Sequence, residues 1–142
     1  MRNILVAAFL TLLLPAAAPG SQPHGCRAVR LVRTTTSWNG ALLPAYPAGQ
    51  PQITILRITI PPGCELPIHE HPVINAGVLL KGELTVRTEE GKVLRLKAGD
   101  PVVEVVNTWH YGFNPGKEPA EIIVFYAGVK GKPFTIIKAA HH

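Results

Sequence analysis

Residues 63–82 read Gly-Cys-Glu-Leu-Pro-Ile-His-Glu-His-Pro-Val-Ile-Asn-Ala-Gly-Val-Leu-Leu-Lys-Gly. In this stretch His69 and His71 stand two apart, among mostly apolar neighbours. Alternate side chains of an extended chain share a face, so both imidazoles project to one side and Glu70 to the other. Asn75, four residues after His71, has the same parity. Two imidazoles held on one face of a rigid strand suit a metal that takes a facial set of ligands. A third ligand has to come from elsewhere, and His110 is the only other histidine inside the expected folded region. His24 precedes that region, and His141 with His142 end the chain.

Outward from this stretch the chain reads as short strands separated by turns. Ile53 to Ile60 is rich in β-branched residues and stops at Pro61-Pro62-Gly63. His69 to Lys81 reads as a strand with a kink, closed by Gly82. Glu83 to Arg87 and Lys92 to Leu96 alternate polar with apolar residues around Glu89-Glu90-Gly91, which is a hairpin signal. Strands are expected at Val102 to Val106 and Glu121 to Ala127, with a last short one within Phe134 to Lys138. A further short strand is expected near Ala28 to Arg33. With fourteen prolines, thirteen glycines and no long helical period, the pattern argues for an all-β sandwich or barrel.

The 142 residues, 46% of them hydrophobic, suffice for one domain with a real core but not for two. Arg2 and Asn3, the apolar run Ile4 to Leu14, and the small residues Ala16 to Gly20 have the layout of an export signal, with cleavage after Ala18 or Gly20. That run is too short to span a bilayer. Pro23 stands three before Cys26, where a lipoprotein signal needs an aliphatic residue, which argues against a lipid anchor. The organisation expected is a signal peptide at 1–20, an arm at 21–52, a barrel at 53–138 and a tail at 139–142. The chain is then periplasmic or secreted, with no stable membrane insertion after signal removal. In such a compartment Cys26 and Cys64 either bridge the arm to the barrel or remain two separate thiols.

The net charge of +5 is spread over scattered Lys and Arg residues rather than gathered in a run with aromatics. It points to anionic small molecules and away from nucleic acid. No phosphate-cradling glycine loop, nucleophile elbow or CxxC is present.

The spacing Gly63, five residues, His69-Glu70-His71, three residues, Asn75, six residues, Gly82 is similar to the first motif of the cupins. Gly99, ten residues, His110, three residues, Asn114 resembles the second, except that Val105 and Asn107 stand where the family usually has Pro and Gly. The resemblance spans about Ile53 to Ala127. It implies a single-domain antiparallel, jelly-roll-like β-barrel with one divalent transition metal in its mouth. The ligands implied are His69, His71 and His110, and iron is placed ahead of manganese, nickel, zinc or copper. Where the family has a glutamate ligand this chain has Asn75, so the metal keeps its full charge and favours an anionic ligand. Asn75 becomes a candidate substrate-binding residue.

Glu104, set among four valines, is either a solvent-facing strand residue, paired with Arg57 or Arg95, or a carboxylate in the barrel mouth that replaces the missing glutamate, as a partner to a ligand, as a catalytic proton acceptor or as a fourth ligand. Trp109, Tyr111 and Phe113 alternate with His110 and are expected on the opposite face. Two functions follow. One is a metal enzyme, a dioxygenase or an isomerase or lyase, acting on a small anionic or enolisable molecule. The other is a non-catalytic binding module for a small molecule or metal. The resemblance also implies a homodimer built through edge strands and the Pro-rich arm.

Overall fold

The computed structural model describes residues 25–139. The expected export signal, His24 and the terminal His141 and His142 lie outside the described residues. Among the described residues the regular structure is all strand. The two apolar runs expected to be strands, β1 (Pro51–Ile60) and β8 (Ala120–Val129), pair antiparallel over their whole length, Pro51 opposite Val129 and Ile60 opposite Ala120. With β3 (Asn75–Lys81) and β6 (Pro101–Val103) they form a four-stranded sheet in the order β1-β8-β3-β6. β4 (Glu83–Thr88), β5 (Val93–Lys97), β7 (His110–Phe113), β2 (His69–Glu70) and β9 (Ile136–Ile137) form the second, in the order β5-β4-β7-β2-β9.

The core lies between the sheets because each strand alternates. On β8, Ala120, Ile122, Val124 and Tyr126 face inward and are buried, while Ile123 and Phe125 face out. Leu79 of β3 and Leu84 and Val86 of β4 meet them. Truncating one of these aliphatics to Ala would cost roughly 2–5 kcal/mol. The motif glycine Gly82 is where the chain leaves one sheet for the other. Its φ is +74°, and a Cβ there would sit 2.8 Å from the Pro119 carbonyl oxygen and 2.9 Å from the Ala120 Cα. Only glycine avoids both the strain and the clash.

Three local expectations differ from the structure. The single kinked strand His69 to Lys81 is two strands in different sheets, β2 and β3. Pro72, which cannot donate a ladder hydrogen bond, marks the crossing between them. The strand at Val102 to Val106 ends at Val103, so Glu104 follows its end rather than alternating within it. The arm has no strand at Ala28 to Arg33. Its order comes from a bridge between Thr36 and Leu42, with Trp38 N donating to the Val103 carbonyl at 2.9 Å. Of the two alternatives left open for Cys26 and Cys64, the structure has the separate thiols.

Candidate metal centre

His69 on β2 lies directly opposite His110 on β7, and His71 follows β2 immediately. Directly paired antiparallel residues share a face at close range, so the short β2 strand carries one imidazole to His110 and the next residues bring the other. The ring centroids are 4.5 Å apart for His69–His110, 4.9 Å for His69–His71 and 5.0 Å for His71–His110. One ring nitrogen from each falls within 4.8 Å of the others.

All three rings are oriented by the backbone. His69 Nδ1 lies 2.7 Å from the Pro67 carbonyl oxygen, His71 Nδ1 3.0 Å from that of Phe134, and His110 Nδ1 2.8 Å from that of Thr108. A carbonyl oxygen only accepts, so each Nδ1 carries the proton and each Nε2 presents its lone pair. This outer set of carbonyls selects the ligating tautomer before any ion arrives. Burial lowers the pKa of all three imidazoles below 6.5, and that of His71 to about 3. Repulsion between neighbouring rings adds to the effect at His71 and His69. Neutral imidazoles are the form that binds metal.

The second motif's departure from the family has a structural reason. Asn107 stands where the family has Gly, and its φ is +51°. Asn is among the few side chains that tolerate this left-handed region. Its N–H donates to the His71 carbonyl at 2.9 Å, which ties the turn to the histidine strand. Asn114 is fully buried, donates to the Ile60 and Glu118 carbonyls and accepts from Gly116 N, so it organises loops rather than the site.

The histidines line a cavity of about 50 Å³, together with Asn75, Glu104, Tyr126 and an apolar wall that includes Ile58, Leu84, Val86 and Val124. Asn75 is 1% exposed, and its Nδ2 donates to the Val73 carbonyl at 3.3 Å. Its Oδ1 is a buried acceptor with no partner. Such a group costs about 1–3 kcal/mol, and a bound cation or a donor on a ligand would satisfy it. The donor set therefore fits a divalent metal: three oriented neutral imidazoles with an unfilled amide oxygen lining the same cavity.

Glu104 is in the cavity, not on the surface, and is buried at 8% exposure. It pairs with neither Arg57 nor Arg95; Arg57 binds Glu121 instead. Its Oε2 is 3.9 Å from His110 Nε2 and accepts from Trp38 Nε1 at 3.2 Å. Despite the short separation this is no ion pair, because burial pushes His110 towards neutral imidazole and the carboxyl towards its acid form. Glu70 stands outside the cavity lining, as strand parity requires.

Two residues of the site are absent from the sequence expectations. Trp38 belongs to the arm, and a lone tryptophan in a Thr- and Gly-rich stretch was its only signal. Tyr126 shares inward parity with Ile122 and Val124, so period-two counting along β8 reaches it. Its ring packs 5.4 Å from that of His71, and burial pushes its phenol up to about 12.

A family model described as a cupin domain matches residues 56–126, which is half of the chain. No curated protein matches the sequence. Among solved structures, an oxalate oxidase in complex with the substrate analogue glycolate is 27% identical, with a TM-score of 0.51 over 60% of this chain and 45% of that one. The chain thus spans under half the length of the oxalate oxidase structures it matches. A cupin-like protein from Thermotoga maritima is 20% identical, with a TM-score of 0.55 over 62% of this chain and 65% of that one. An uncharacterized conserved Klebsiella pneumoniae protein with a double-stranded beta-helix domain is 23% identical, with a TM-score of 0.54 over 66% of this chain and 90% of that one.

Proposed function

The chain belongs to the cupin domain family, and on that premise we propose that it is a metal-dependent enzyme acting on a small carboxylate or enolisable anion, with dioxygenase chemistry at an iron centre as the leading form. The observation that carries this reading is the convergence of three carbonyl-anchored imidazoles on one small cavity that also holds a buried carboxyl group. The likeness to an oxalate oxidase that binds glycolate supports a small carboxylate as the ligand class.

A divalent ion held by His69, His71 and His110 would supply Lewis acidity and, if iron, redox capacity. The chain's own groups supply the rest. Three neutral ligands leave the cation's charge uncompensated, which favours an anion beside it. Asn75 Oδ1 accepts a hydrogen bond from a ligand O–H or N–H. Glu104, held by the Trp38 indole, can give or accept a proton next to His110. The aliphatic wall keeps bulk water out, and about 50 Å³ limits the ligand to a few heavy atoms. The same small volume favours a second reading, a binding module that sequesters metal or anion without turnover.

We also infer that residues 1–20 export the chain to the periplasm or outside the cell, and that two copies associate. The apolar outer face of the four-stranded sheet, with Ile53, Ile55 and Phe125 exposed, supports association.

The test is metal analysis of the mature protein, purified without a His-tag from its exported compartment, beside a His69→Ala/His110→Ala variant. About one equivalent of iron, lost in the variant, together with oxygen uptake on small carboxylates, thiols, diketones or phenols, supports the enzyme. Zinc, manganese or nickel moves the reading to Lewis-acid chemistry. Metal without turnover on any of these leaves the binding module, and no metal in either protein overturns the metal site and leaves a metal-free barrel that binds a small molecule or a partner.

A further inference from the structure

A second concavity lies apart from the histidine cavity. It measures about 600 Å³ and lies on the outer face of the five-stranded sheet. The two share a wall: on β4, Leu84 and Val86 face the histidines, while Thr85 and Arg87 line the outer concavity. Arg95 of β5 lies opposite Thr85, which places Arg95 and Arg87 as diagonal neighbours on adjacent strands. Diagonal positions are about 7–8 Å apart along the backbone, within reach of two guanidinium forks closing on one group. Neither arginine makes an ion pair among the described residues, where the ion pairs involve Arg57, Lys81 and Lys138.

The remaining lining is chemically mixed. Arg87 stacks on Phe113 at 5.2 Å from the ring centroid. Thr85, itself 4% exposed, forms the floor. Glu83, Lys97 and Asp100 also line it. A bare phosphate or a small carboxylate would use the cations but meet the two carboxylates unfavourably. A ligand carrying both acid and hydroxyl groups uses all of them: the guanidiniums take its carboxylate bidentately, Glu83 and Asp100 accept from its hydroxyls, and Phe113 packs on its C–H face. The volume lies in the range of small-molecule sites.

We propose that this outer concavity is a second ligand site, separate from the histidine cluster, that binds a short acidic saccharide through Arg87, Arg95 and Phe113. It is independent of the reading given for the metal cavity.

The experiment is calorimetric titration of the mature protein with a trimer of galacturonate, with maltotriose and inorganic phosphate as comparisons. It is run on the wild type, an Arg87→Ala/Arg95→Ala variant and a His69→Ala variant. Thermal melting confirms that the variants fold, since both arginines are exposed. Saturable, salt-weakened binding of the acidic trimer is expected, with at least about a tenfold loss in the arginine variant. The His69→Ala variant is expected to bind it as the wild type does, and maltotriose not to bind. No binding of the trimer overturns the proposal, as does binding that survives the arginine substitutions or is lost with His69→Ala. Phosphate competing as strongly as the trimer also overturns it, because the two carboxylates would then have no part in selection.

Discussion

The indole nitrogen of Trp38, in the arm that precedes the barrel, donates to Oε2 of Glu104 at 3.2 Å. The same two segments are joined again by Ser37 Oγ, which donates to the Glu104 carbonyl at 2.8 Å. The arm thus holds the one cavity carboxyl group in place beside His110. Removing a donor from a carboxylate raises its pKa, so Trp38→Phe should shift Glu104 titration upward in the metal-free protein. Carbon-detected NMR of the side-chain carboxyl reads this directly. An unchanged titration would mean that the contact does not operate in solution.

Single substitution of His69, His71 or His110 by Ala should reduce metal content from about one equivalent to a small fraction, while far-UV circular dichroism stays that of the wild type. Each ring is anchored separately to its own carbonyl, so losing one leaves the other two oriented but too few to hold the ion. Retention of a full equivalent in any one variant would remove that residue from the ligand set.

Acid should destabilise the metal-free protein over a defined window. The folded pKa of each histidine lies below 6.5, so between pH 6.5 and the folded values the unfolded chain binds more protons. Stability falls with falling pH by up to about 1.4 kcal/mol per pH unit for each histidine, and for His71 this continues to about pH 3. Glu104 has the opposite sign: its raised pKa gives stability that is present below 4.5 and lost as pH rises through the folded value. Three histidines outweigh one carboxyl, so urea midpoints in EDTA should rise from pH 4.5 to 6.5. A His71→Gln variant should show a shallower rise.

Asn75→Leu should stabilise the metal-free protein by about 1 kcal/mol, because it removes a buried acceptor that has no partner. It should at the same time weaken binding of glycolate to the metal-loaded protein. Stability gained at the expense of binding is the behaviour of a strained functional residue. Destabilisation together with unchanged glycolate binding would make Asn75 a structural residue only.

The outer face formed by Ile53, Ile55, Ile123 and Phe125, with Leu31 and Val32 of the arm exposed nearby, should be covered by a second copy. Light scattering behind size exclusion should give twice the chain mass for the wild type, and the single-chain mass for Ile55→Lys/Phe125→Lys. A wild type at the single-chain mass sinks the proposal.

The sequence by itself determined the class of fold and pointed to the histidine triad. Period-two alternation is a local property of each strand, and His69 with His71 share a face whatever the rest of the chain does. The motif spacing then pointed to His110 as their partner. Gly82 was legible in the same local way, as the residue that closes the strand, whereas the left-handed torsion of Asn107 came only with the structure. The tertiary structure alone decided the fate of Glu104. The same carboxylate among valines satisfies local rules either in solvent or in the core, and the end of β6 at Val103, with the docking of Ser37 and Trp38, turns it inward. Trp38 and Glu104 are 66 residues apart, and no local pattern encodes a contact at that separation. The orphaned oxygen of Asn75 likewise depends on which strands become neighbours, a consequence of cooperative packing rather than of any one segment.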